Sequence, residues 1–168
     1  MSKVEVGEAL GNQSSVWHEI GRSWMSMKTW VKLWLFFLNF VFLLALAFVR
    51  DPIGRWTFAA YAAAGPLLMV FMIRQRGLTR LLGLAHIIPW VPLLVYLSLR
   101  MTSHLVGPML TKEEDPLLFS YVILVLASAG ACLALDFYDV YRWLRGERFV
   151  LGSEEAFRAG ASRLARHS

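Results

Sequence analysis

Long stretches without a single charged side chain alternate along this chain with short charged connectors. Leu33–Val49, Trp56–Ile73, Leu81–Leu99 and Pro116–Leu135 contain no Asp, Glu, Lys or Arg and run for 17, 18, 19 and 20 residues. At 1.5 Å per residue, about 20 helical residues cross a hydrocarbon core of about 30 Å. The shorter runs are completed by Lys32, Arg50, Arg55 and Arg74, whose long stems can reach the headgroups. Barrel strands would alternate polar and apolar positions, and these runs do not. The pattern predicts four transmembrane helices over residues 31–49, 56–73, 81–99 and 116–135, the last continuing to about residue 144. The first run follows a 32-residue polar and amphipathic lead and exceeds a leader's apolar core, so it reads as an uncleaved span.

The connectors Arg50–Arg55, Arg74–Arg80 and Arg100–Asp115 have six, seven and sixteen residues. Connections this short make successive helices antiparallel neighbours. The expected fold is therefore an all-α integral membrane protein, a four-helix transmembrane up-down bundle. Asp51-Pro52 and Asp115-Pro116 fall where two helices must begin. Aspartate can accept from the free N–H groups of the first turn, and proline suits the first helical position.

Outside the spans the period changes. Trp17, Ile20, Trp24, Met27 and Val31 recur at three- and four-residue spacing, with His18, Glu19, Arg22, Ser23 and Ser26 opposite. That spacing predicts an amphipathic helix over about residues 15–30, lying in the membrane interface on its aromatic side. After Gly146, a plausible stop, Ser153 with Glu154 and Glu155 opens a second short helix, with Phe157, Ala161 and Leu164 on one face. The chain thus divides into an N-terminal segment (1–30), a transmembrane domain (31–145) and a basic tail (146–168).

Composition agrees with this reading: 57 % of residues are hydrophobic and only 17 % charged, against about a quarter charged in soluble domains. Charge decides orientation. The N-terminal side, the middle connector and the tail carry Lys3, Arg22, Lys28, Lys32, Arg74, Arg76, Arg80, Arg142, Arg145, Arg148, Arg158, Arg163 and Arg166; the other side carries Arg50, Arg55, Arg100 and Lys112. This bias predicts that both termini are cytoplasmic, and with the lack of eukaryotic targeting features the expected location is a bacterial inner membrane. The net charge of +5 sits beside apolar runs, so anionic headgroups rather than nucleic acid are the expected partners.

Within lipid, helices associate where small residues allow close approach. Span two offers Ala59, Ala63 and Gly65; span four offers Ala127, Gly130, Ala131 and Ala134. These residues predict a central contact between spans two and four, with the Leu- and Phe-rich first span facing lipid. Pro66, Pro89 and Pro92 remove backbone donors inside spans two and three and should bend them.

Few residues are candidates for chemistry. His86 is the one histidine inside a span. It is either a proton-transfer group or metal ligand, or a neutral histidine bonded to a carbonyl freed by Pro89 or to a polar group on another helix. Asp136 and Asp139 share a helical face at the inner boundary, where they can meet His86 or pair with Arg142, Arg74, Arg76 or Arg80. Asn39, in the middle of span one, should bond across to another helix. Arg100, His104 and the cluster Glu113-Glu114-Asp115 read as solvated charge on the outer surface. The lone Cys132 excludes a disulfide or a cysteine-built zinc or iron–sulfur site within one chain and reads as a small buried hydrophobe.

Nucleotide, dinucleotide, zinc-protease and thiol-redox motifs are all missing. No catalytic residue, metal or cofactor is expected. The leading expectation is a non-catalytic accessory, assembly or scaffold component of a larger membrane system, acting with a protein partner or as a homo-oligomer. The alternatives are a small oligomeric transporter or channel with His86 and Asn39 near its path, and a membrane enzyme acting on a lipid or quinone through His86 with Asp136 or Asp139.

Overall fold

A computed structural model describes residues 17–151 and Ser153, and these form helices and turns with no strand. A short helix α1 (17–26) is followed after a two-residue break by α2 (Thr29–Leu43), which tightens into a 3-10 turn over Leu44–Phe48. Next come α3 (Pro52–Gln75), a 3-10 turn at Arg80–Leu82, α4 (Gly83–Thr102) and α5 (Pro116–Leu144). With their 3-10 extensions, four helices of 20, 24, 23 and 29 residues are long and apolar enough to cross a membrane. The protein is a multi-pass membrane protein by that criterion.

The helix starts follow their local chemistry. Asp51 Oδ1 accepts from the Ile53 N–H at 2.7 Å, and Asp115 Oδ1 accepts from the Leu118 N–H at 2.9 Å, each with proline in the first turn. α5 ends where Gly146 takes a positive φ of 100° and the Glu147 N–H donates to the Arg142 carbonyl. Pro66, Pro89 and Pro92 all lie inside helices that run on through them.

Two glycines allow the closest helix approaches. A Cβ at Gly54 would sit 2.1 Å from the Phe48 carbonyl oxygen, so only glycine lets the start of α3 rest on the end of the first span. A Cβ at Gly83 would sit 3.0 Å from both the Asp136 Cβ and its carbonyl oxygen, where α4 crosses α5.

The contact pattern corrects the expected packing. α4 is the hub: it packs along α5 on one side and α3 on the other, while α3 also meets the Leu44–Phe48 turn. α3 and α5 share no substantial contact. Ala59, Ala63 and Gly65 on α3, and Ala127, Ala131 and Ala134 on α5, are exposed, and nothing lies within 4 Å of a Cβ built on Gly65 or Gly130. The reason is rotation about the helix axes. The core is filled by larger side chains, among them Phe42, Ile53, Trp90, Leu97, Tyr121, Val122 and Val125, which interlock in more van der Waals contacts than alanines could. For the same reason α3, rather than the first span, has the smallest buried share of the four, and α5 the largest.

At the end of the bundle that holds α1 and the connector between α3 and α4, three segments converge. Gly77 has φ of +149°, and a Cβ there would lie 2.5 Å from Val150 Cγ1 and 2.9 Å from Ser23 Oγ. The Leu151 N–H donates to the Leu78 carbonyl at 2.9 Å. Helix α1 therefore turns Ser23, expected on the polar outer side, inward to 2 % exposure, while Trp17 and Trp24 are exposed. The helix expected after Ser153 lies outside the described residues. At the opposite end, Arg100 is buried rather than solvated: Gly107, with φ of +133°, lies over its guanidinium, and the Leu110 N–H donates to its carbonyl at 2.7 Å. His104 remains exposed.

Candidate functional site

The candidate polar residues separate into two places. Asn39, exposed on α2 near mid-span, accepts from the Tyr61 hydroxyl of α3 and donates from Nδ2 to the Leu35 carbonyl at 2.7 Å. It does bond across to another helix, but not to His86 or Asp136.

His86, Asp136 and Asp139 lie along the α4–α5 seam. The close crossing at Gly83 brings the helices together, and His86 follows three residues later on α4. Its Nδ1 lies 3.1 Å from Asp136 Oδ2, with side-chain exposures of 14 % and 16 %. Asp139, one turn further along α5, pairs instead with Arg80. Arg80 also reaches Glu147 at 3.3 Å, and Arg142 reaches the same Glu147 oxygen at 2.6 Å. Two carboxylates three residues apart thus take different partners. The outer one joins a charged network at the helix ends; the inner one serves the histidine. Helix rise explains the split, because the three residues from Asp136 to Asp139 advance α5 by about 4.5 Å, from the level of His86 toward that of Arg80.

A third group joins the inner pair. Cys132, four residues before Asp136 on the same face of α5, is buried and donates its thiol to the same Oδ2 at 3.6 Å. One donor atom from each of His86, Cys132 and Asp136 lies within 4.8 Å of the others. The buried indole N–H of Trp34 on α2 faces the thiol. Trp90 stacks on the His86 ring with centroids 4.4 Å apart. Phe42 stacks on Trp90 at 4.5 Å and on Tyr61 at 5.5 Å, so aromatic rings fill the space between His86 and the Tyr61–Asn39 pair.

The arrangement limits the possible chemistry. A nucleophilic cysteine needs a base beside its sulfur, normally an imidazole that a carboxylate orients. Here the thiol meets the carboxylate, and the carboxylate stands between sulfur and ring. That order does not activate the thiol through the histidine. It can share protons among three groups, or it can offer an ion nitrogen, sulfur and oxygen donors.

Cys132 as a polar participant, Gly83 as the crossing point, and Arg80 as the partner of two acids were not singled out from sequence. The spacing Cys132-x-x-x-Asp136 puts thiol and carboxylate on one helix face and was the available signal for the first. No family model, curated protein or solved structure matches this chain.

Proposed function

We propose that this chain is a non-catalytic component of a larger membrane assembly: an up-down four-helix bundle in a bacterial inner membrane, with both ends cytoplasmic. The observation that carries this reading is the Asn39–Tyr61 pair. It places an exposed amide near mid-span on the outer surface of α2 and α3, where hydrocarbon would otherwise surround polar atoms with capacity to spare. The exposed Gly65, one turn along α3 from Tyr61 and with nothing within 4 Å of a Cβ built on it, leaves room beside the pair for a neighbouring helix to approach closely. A protein partner or second copy at this face removes the mismatch, and the basic flanks hold the assembly against anionic headgroups. The exposed Trp17 and Trp24 of α1 suit the same interface.

The polar groups of the seam support the non-catalytic part. His86 has a partner on the facing helix, Asp139 is engaged by Arg80, and stacked Phe42 and Trp90 separate them from Asn39. A transport path joining His86 to Asn39 within one chain would have to pass those rings.

Purification of the tagged chain in mild detergent tests the reading. The expected result is a stoichiometric partner, or a second copy, that is lost from the Asn39→Leu variant. A lone monomer in several detergents, or association indifferent to Asn39→Leu, overturns it. The enzyme reading draws on the 3.1 Å His86–Asp136 contact, short enough for the direct proton transfer that acid–base catalysis requires. It requires a lipid or quinone turnover that His86→Ala abolishes.

A further inference from the structure

The seam holds three donor types whose chemistry fits one class of ion. We propose that His86, Cys132 and Asp136 form a binding site for a single zinc-class divalent transition-metal ion, between α4 and α5.

Zinc is bound by nitrogen and oxygen at about 2.0 Å and by sulfur at about 2.3 Å, so tetrahedral donors around it stand roughly 3.3–3.6 Å apart. The His86 Nδ1 to Asp136 Oδ2 distance is 3.1 Å and the Cys132 Sγ to Asp136 Oδ2 distance is 3.6 Å. The remaining edge is at most 4.8 Å, and a small rotation of the imidazole toward the thiol closes it. The second edge already has the spacing an ion requires, and the first is about 0.2 Å short of it.

Donor identity selects the metal. A thiolate discriminates against magnesium and calcium, which take oxygen ligands. A carboxylate and an imidazole beside it suit zinc better than cuprous copper, which prefers softer sets. With three protein ligands the fourth position stays open to water or to another ligand.

The surroundings serve the same end. Metal binding needs the thiol as thiolate and releases its proton. The buried indole N–H of Trp34 beside the sulfur can donate to that charge. Trp90 stacked on His86 holds the ring against the seam, and Gly83 sets the helix separation at Asp136. His86 and Asp136 keep a small exposure through which an ion can enter. None of this depends on the assembly role proposed above.

The test uses the full chain in detergent, with Co2+ as a spectroscopic probe and Zn2+ as competitor. The expected result is one Co2+ per chain with a thiolate-to-cobalt charge-transfer band, displaced by Zn2+ and absent in Cys132→Ser. His86→Gln and Asp136→Asn, both close in shape to the native residues, should weaken binding by more than about tenfold, at least the loss seen when mere supporting contacts at a metal site are removed. Because Cys132 is the only cysteine, its alkylation rate gives a readout that needs no variant: Zn2+ should slow modification of the native chain. Ion binding without the charge-transfer band, binding retained in the Cys132→Ser/His86→Gln double variant, or an alkylation rate unchanged by saturating Zn2+ would each overturn the proposal.

Discussion

The α4–α5 seam and the α2–α3 face use opposite means to hold helices in a membrane. Along the seam, a glycine crossing at Gly83 is followed by paired polar groups: His86 with Asp136, and Arg80 with Asp139 and Glu147. Across α2 and α3 the contact is almost wholly apolar, closed at Gly54 against the Phe48 carbonyl, with one polar pair, Asn39 and Tyr61, left at the outer surface. In lipid, burying more apolar surface adds little between helices, since the tails are equally apolar. The polar seam can therefore specify which helix faces meet, whereas the apolar face depends on shape alone. The seam is finished within the chain. The α2–α3 face is not, which is why it is the one we assign to a partner.

The comparison can be broken most severely at its glycines. Gly54→Ala should cost the most, at or above about 3 kcal/mol, the upper range for overpacking, because the added carbon meets backbone that cannot swing aside. Gly83→Ala should cost less, about 1 kcal/mol, since a 3.0 Å contact is relieved by a small helix shift. Unfolding in mixed micelles with a denaturing detergent measures both, and a reversed order would show that the seam, not the α2–α3 turn, is the tighter joint. Removing Asp51 by Asp51→Ala takes the cap from α3 and should cost about 1 kcal/mol in the same assay.

Smaller effects sharpen the contrast. Arg80→Ala leaves Asp139 and Glu147 without their shared partner and should cost about 1 kcal/mol, reduced by added salt, because Asp139 is 42 % exposed. Arg142→Ala removes one ion pair, to Glu147, and a contact over the Tyr138 ring, and should cost less. The smallest change is Tyr61→Phe, about 0.6 kcal/mol for a single interhelical hydrogen bond in lipid. If Tyr61→Phe proved costlier than Arg80→Ala, the apolar face would owe its register to the polar pair, and the distinction between the two regions would fail.

Much of the architecture is readable from residues close together in the chain. The helix starts at Pro52 and Pro116 follow from Asp51 and Asp115, because capping involves atoms two or three residues apart. Asn39 bonding to a neighbouring helix follows from the cost of an unpaired amide in lipid. The packing surface was misread because small residues permit close approach without requiring it: Ala63 and Ala131 point outward while Phe42 and Val125 fill the core. The Asp136–Asp139 pair was legible as a site but not as two sites, since either could have met His86 or arginine.

Sequence alone established where the membrane crossings lie and how the helices begin, because hydropathy and capping act over one span or one turn. Only the tertiary structure decided the rotation of each helix about its axis. That angle is set by how bulky side chains and two glycines pack against another helix, and a twist of a fraction of a turn would part Asp136 from His86. The same rotation brought Cys132, already beside Asp136 by its four-residue spacing, close to His86, which no local pattern could dictate.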